Sequence, residues 1–269
     1  MNIEEIHKYL TINIENYIKL IIKEYGSYMS KNELERLNNI TDYSKILKIY
    51  DYGQINAYGG KTGIKMPLCA DKVIGKMSKI PLYGINRNHK IYNEGTIIEN
   101  DNNFLTYINH AFISGIDTKG YYEDLLLHET MHFCGSDGSS VLKEGINELL
   151  TRMLAKKYNL RTSSCGYPKE VKLCLKLMEI LGEDVVKQLA FIHDRDLEIS
   201  FLKTFGDDIA RLYMEVSLIA EDEFSSKYYS HMNEYKGITG IFKKTLLYSK
   251  IDYSKAYEVI DSYAKSKTK

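Results

Sequence analysis

Residues 125–134 read Leu125-Leu126-Leu127-His128-Glu129-Thr130-Met131-His132-Phe133-Cys134. In a helix, residues four apart lie about 40° apart around the axis, so both imidazoles can reach one ion. Glu129 projects from the adjacent strip, where it can take a proton from water held by that ion. Leu125, Leu126, Leu127, Met131 and Phe133 cover most of the remaining circumference. The stretch therefore reads as a helix buried nearly all round. Two imidazoles and a carboxylate are costly there unless something compensates them. A zinc ion would. The alternative is a core helix with two hydrogen-bonded histidines and a paired glutamate.

Outward from the motif, Gly135 reads as the C-cap of this helix. A metzincin arrangement would use Gly135 as its glycine, but the ligand position falls on Gly138 and Asp137 is one place off, so that pattern fails. The next segment carries an apolar stripe of Leu142, Ile146, Leu149, Leu150 and Met153, which predicts a helix opened by Ser139 or Ser140. Glu144 and Glu148 are four apart and share a face. Because the stripe lies on roughly the other side, that face reads as a solvated acidic one, with Glu148 paired to Arg152. Small Gly145 and Ala155 beside the carboxylates point the other way, towards close approach by another helix.

Here residues 125–155 resemble the gluzincin metallopeptidases, the thermolysin-like and aminopeptidase-like zincins. In those families a Glu on a second helix completes a His-His-Glu zinc site, often with Gly or Ala after it, and a carboxylate one turn later buttresses the first His. The resemblance implies one zinc ion held by His128, His132 and Glu144, with Glu148 as the partner of His128. The twelve residues from His132 to Glu144 are fewer than those families usually have. Asn147-Glu148 also resembles the Asn-Glu of the thermolysin-type ligand, so the two glutamates can exchange roles. The implied activity is hydrolysis of peptide bonds by zinc-activated water, with Glu129 as general base. A later Tyr or His usually stabilises the oxyanion, and Tyr213 and His193 are the candidates. A peptide substrate would lie along an edge strand. The alternative is a zinc-holding zincin-like regulatory module without turnover.

The rest of the chain supplies the frame. Apolar residues at Ile3, Ile6, Leu10, Ile14, Tyr17, Ile18, Ile21, Ile22 and Tyr25 predict a helix stopped by Gly26. Ser30 and Glu33 form a capping box that opens a second helix towards Tyr50. From Asp51 the glycines and short apolar runs predict a small antiparallel sheet, after which the chain returns to helices. Pro168 falls in a first helical turn, Gly182, Gly206 and Gly237 at breaks, and Lys265–Lys269 reads as a frayed basic tail. The expected fold is α+β and mostly helical, zincin-like. It is read as a single domain over 1–269, with N-terminal helices in 1–50, a β-rich part in 51–115, and the motif helix and helical half in 116–269.

Lys+Arg and Asp+Glu are each 36 of 269 residues, so no basic excess marks a nucleic-acid or anionic-membrane binder. No apolar run is long enough for a membrane span. The acidic start, Met1-Asn2-Ile3-Glu4-Glu5, is unlike a secretory signal, which predicts a cytoplasmic protein, with export as an effector by another route left open. Cys69, Cys134, Cys165 and Cys174 form no Cys-x-x-Cys pair and read as reduced, packed thiols. Gly60-Lys61-Thr62 imitates the end of a phosphate loop but lacks the earlier glycine and the following helix. His89 reads as a turn residue.

Overall fold

The computed structural model describes residues 3–50, 58–60, 63–67, 89–93, 96–100, 118–136, 138–160, 167–229 and 246–268. Helix dominates them. Helix α1 spans Ile3–Tyr25, as its apolar spacing predicts, and ends at Gly26. Leu10, Ile14, Tyr17, Ile18, Ile21 and Tyr25 are all buried, so the apolar stripe faces the protein's own core. Helix α2 opens at the predicted cap, where Ser30 Oγ accepts from the Glu33 N–H. It spans only Lys31–Asn38, however, and does not run on to Tyr50. Asn38 and Asn39 favour a turn, and the Asp42 side chain accepts from the Ser44 backbone, so local side-chain bonds compete with further helix.

Five short strands follow: β1 (Leu47–Tyr50), β2 (Tyr58–Gly60), β3 (Gly63–Pro67), β4 (His89–Asn93) and β5 (Thr96–Asn100). They pair in the order β2-β3-β1-β4-β5. Strands β1 and β3 run parallel, with Leu47 opposite Ile64, while the other pairs are antiparallel. The pairing is thus mixed where an antiparallel sheet was expected, because β1 arises ahead of the glycine-rich stretch and joins β3 across an intervening strand. His89 opens β4 and does not sit in a turn. Gly60 is followed by strand β3 and not by a helix, so no phosphate loop forms.

Further along the chain come α3 (Thr118–Phe133), α4 (Val141–Tyr158), α5 (Pro168–Leu181), α6 (Glu183–Ala190), α7 (Arg195–Lys203), α8 (Asp207–Phe224) and α9 (Ser254–Lys267), with a π-helical segment at Ser225–Tyr229 and a short helical one over 246–249 between the last two. Pro168 and the breaks at Gly182 and Gly206 fall as predicted, whereas Gly237 lies outside the described residues. The C-terminal residues are helical to Lys267 and not frayed, since Lys267 Nζ lies 2.6 Å from Asp208 of α8. Helix α3, the motif helix, packs between α1, strands β2 and β3, and α4. Cys134 and Cys174 are buried free thiols, and Cys69 and Cys165 lie outside the described residues. None of the described helices is long and apolar enough to cross a membrane.

Helix α4 is the central element. It contacts α3, α5, α6 and α8, which bury residues on every side of it, from Leu142 and Ile146 to Asn147 and Glu148. The acidic face is therefore not solvated. The apolar stripe marked one buried side, and neighbouring helices cover the other. Gly145 makes this packing close: a Cβ there would lie 2.8 Å from Glu170 Cβ and 2.9 Å from Cys174 Sγ of α5. Glu170 is itself held by the hydroxyls of Tyr248 (2.5 Å) and Tyr253 (2.6 Å). The first turn of α4 is fixed by buried Lys143. Its ammonium lies 2.8 Å from Glu198 of α7 and donates to the carbonyls of Leu189 and Ile192.

Candidate metal centre

Helix α3 ends at Phe133, one residue after His132. The Gly135 N–H donates to the His132 carbonyl and the Ser136 N–H to the Met131 carbonyl, with Gly135 at φ +103°. This is a Schellman ending, which requires the glycine. Arg36 of α2 covers the same end, donating to the Phe133 carbonyl with its guanidinium 4.5 Å above the Phe133 ring. Ser140 then caps α4 by accepting from the Lys143 N–H. The short turn folds α4 back along α3, pairing His132 with Glu144 and, one turn further along each helix, His128 with Glu148. Twelve residues suffice because His132 lies in the last turn of one helix and Glu144 in the first turn of the next.

Three atoms converge. His132 Nε2 lies 3.2 Å from His128 Nε2 and 3.3 Å from Glu144 Oε2, and His128 Nε2 lies 3.5 Å from the same oxygen. Ligands about 2.0–2.2 Å from a tetrahedral zinc are about 3.3–3.6 Å from one another. The triangle's edges match these to within about 0.1 Å, and it is the group of metal-capable side chains found among the described residues.

The outer nitrogens are occupied in a way that leaves the inner ones for a ligand role. His128 Nδ1 is 2.9 Å from Glu148 Oε2, and His132 Nδ1 is 3.1 Å from the Ser136 carbonyl. Acceptors at both Nδ1 atoms place the protons there and leave the Nε2 lone pairs pointing inward. Glu148 also accepts from Arg152 Nε at 2.8 Å, so the predicted i,i+4 pair forms together with the His128 contact.

Charge favours a cation. Glu129 and Glu148 are buried and Glu144 nearly so, with Arg152 as the partner of Glu148. Burial works against a charged His128, but hydrogen bonds to Glu144 and Glu148 and the charge of Glu129 outweigh it and hold its pKa well above the ordinary value. Burial likewise works against ionised Glu144, yet its bonds to the two imidazoles bring its pKa down to about 2. Protons compete with a metal for His128, so affinity is expected to fall as pH drops.

Of the other sequence candidates, Tyr213 does not reach this triangle with its hydroxyl, which donates to Glu198 at 2.7 Å within the buried Lys143 network. His193 is exposed just before α7.

Three residues at the site were given no part in it by the sequence. Tyr167 stacks on the His128 ring, with centroids 5.9 Å apart and planes 17° apart, and holds a left-handed backbone at φ +45°. That conformation is strained for a bulky residue. Its neighbour Pro168 was the only available sign. Asn147 is buried against both imidazoles, three residues after Glu144 on the same face.

Gly138, noticed only as a failed ligand position, lies against the ligands. A Cβ there would come within 2.6 Å of Glu144 Oε1 and 2.7 Å of His132 Cε1. Gly138→Ala is therefore expected to leave the fold intact, because the group displaced most easily is the end of a flexible side chain, while metal affinity drops about tenfold or more. Isothermal titration with zinc beside a urea melt of the metal-free protein separates the two effects. Comparison with family models, curated proteins and solved structures gives no match for this chain.

Proposed function

We propose that this chain is a zinc-dependent metallopeptidase with a zincin-like α+β fold. In this reading His128, His132 and Glu144 are the zinc ligands, Glu148 orients His128, and Glu129 is the general base. The observation that carries it is the triangle of His128 Nε2, His132 Nε2 and Glu144 Oε2, with edges of 3.2, 3.3 and 3.5 Å and both Nδ1 atoms bonded outward. Three protein ligands leave a fourth position, the arrangement of catalytic rather than structural zinc.

When bound, zinc supplies a Lewis acid that polarises a carbonyl and lowers the pKa of water to about 7. The chain's own residues supply the rest. The Glu129 carboxylate takes the water proton and delivers it to the leaving amine. Glu148, held by Arg152, keeps His128 in the tautomer that presents Nε2. The ring of Tyr167 covers the outer face of His128 and forms a wall of the site. Strand β2 pairs only with β3 among the described residues and packs on α3, so its other edge can receive an extended peptide by strand addition.

The first test is elemental analysis of protein purified without chelator or histidine tag. About one zinc per chain is expected, and none in His132→Ala. Zinc at a hundredfold excess over its Kd should also stabilise the wild-type chain by about 2.7 kcal/mol and leave His132→Ala unmoved. No zinc, and none taken up on addition, would make His128 and His132 core histidines and remove the reading. A zinc-holding regulatory module without turnover is the competing reading. A fourth protein ligand at the ion would close the site and favour that reading.

A further inference from the structure

Asn147 is fully buried on α4, and its carboxamide is poorly matched to the site as it stands. Its Nδ2 lies 3.1 Å from His132 Nε2, and 3.2 and 3.3 Å from Nδ1 and Nε2 of His128. Near-equal distances to the two His128 nitrogens put Nδ2 over the face of that ring and not on the lone-pair axis of Nε2. The axis on which a ligand bond would form is thereby left clear. The remaining contact of Nδ2, to the His128 carbonyl, is 3.4 Å long and at the edge of hydrogen-bond reach. Meanwhile Asn147 Oδ1 is buried with no hydrogen-bond partner among the described residues. An unmet buried acceptor is destabilising.

This orientation suits a site without a metal. The N–H donates to the bare His132 Nε2, and the amide stands where it can hold the two imidazoles in place. A dication on the two Nε2 atoms changes both terms. It takes the lone pair that Nδ2 uses, and it sets the positive end of the amide dipole against a positive ion. Rotation of the carboxamide by about 180° exchanges two groups of nearly the same shape. It turns the orphaned oxygen towards the cation and gives up two contacts of Nδ2: the one to His132 Nε2, whose lone pair the ion takes, and the long one to the His128 carbonyl.

On the metal reading above, we infer that loading inverts the Asn147 carboxamide, so that Oδ1 faces the cation and Asn147 acts as a positioning residue for the metal. The oxygen end then favours the loaded state and the nitrogen end the empty one. Asn147 is thus a metal-linked switch built into α4.

The sign of an affinity change tests this. Asn147→Leu keeps the volume and removes the dipole. With the oxygen facing the ion, zinc affinity by competition titration should fall about 10–100-fold. If the nitrogen end stays towards the ion, removing it raises the affinity, and the inference is overturned. Unchanged affinity overturns it as well. Nuclear magnetic resonance of the wild-type chain gives a second answer that needs no variant to fold. Asn147 side-chain N–H protons should show nuclear Overhauser contacts to the His132 ring without zinc and lose them with zinc. Retention of those contacts would refute the inversion while leaving the metal reading standing. Absence of zinc uptake by the wild-type chain would refute both.

Discussion

Glu129→Gln is expected to keep about one zinc per chain and to lower peptide hydrolysis by about 10²–10⁴-fold. The amide is nearly the same shape as the carboxylate, so the buried packing around position 129 should survive. What it loses is the ability to accept a proton from water. Because Glu129 does not belong to the converging triangle, zinc stoichiometry and the zinc-induced rise in Tm should match those of the unchanged chain. The measurement is hydrolysis of a broad library of quenched peptides by both proteins, zinc-loaded and side by side. Equal rates in the two would remove Glu129 as general base. If the unchanged chain holds zinc and cleaves nothing, the regulatory reading takes precedence.

Lys143→Ala should cost about 3–5 kcal/mol of folding stability, the usual result of removing one partner from a buried ion pair. The Lys143 ammonium lies 2.8 Å from Glu198, which also accepts from Tyr213 at 2.7 Å, and both charged residues are buried. Truncation leaves the Glu198 charge in the interior facing the carbonyls of Leu189 and Ile192, which also lose their donor. The double variant Lys143→Met with Glu198→Leu removes both charges and should recover the larger part of the loss. Urea unfolding of the three metal-free proteins measures this. A single-variant loss below about 1 kcal/mol, the range of exposed pairs, would show that the pair is solvated. Since Lys143 adjoins Glu144, the single variant should also weaken zinc binding, by loosening the turn that presents the carboxylate.

The contrast between these two residues separates what sequence can express from what it cannot. Glu129 is legible because the role proposed for it depends on a helix and a spacing, both local. The same holds for the cap at Ser140, the stop at Gly135 and the helix from Ile3 to Tyr25. Lys143 reads in sequence as an ordinary charged residue between Leu142 and Glu144. Its partners lie 46 to 55 positions away, on elements whose approach no local pattern specifies.

The two histidines and the adjacent glutamate, the helix that carries them, and a second helix with two carboxylates one turn apart are all written locally in the chain. Periodicity and capping suffice for these, because each is a property of a few neighbouring residues. Long-range packing decided that the acidic face of α4 is buried against α3, so that Glu144 meets both Nε2 atoms and Glu148 meets Nδ1 of His128. It also decided that Tyr213 serves Glu198, that α2 stops at Asn38, and that Gly138, Asn147 and Tyr167 belong beside the histidines. An apolar stripe reports one face a helix buries. Which helices cover its other faces depends on how the whole chain packs.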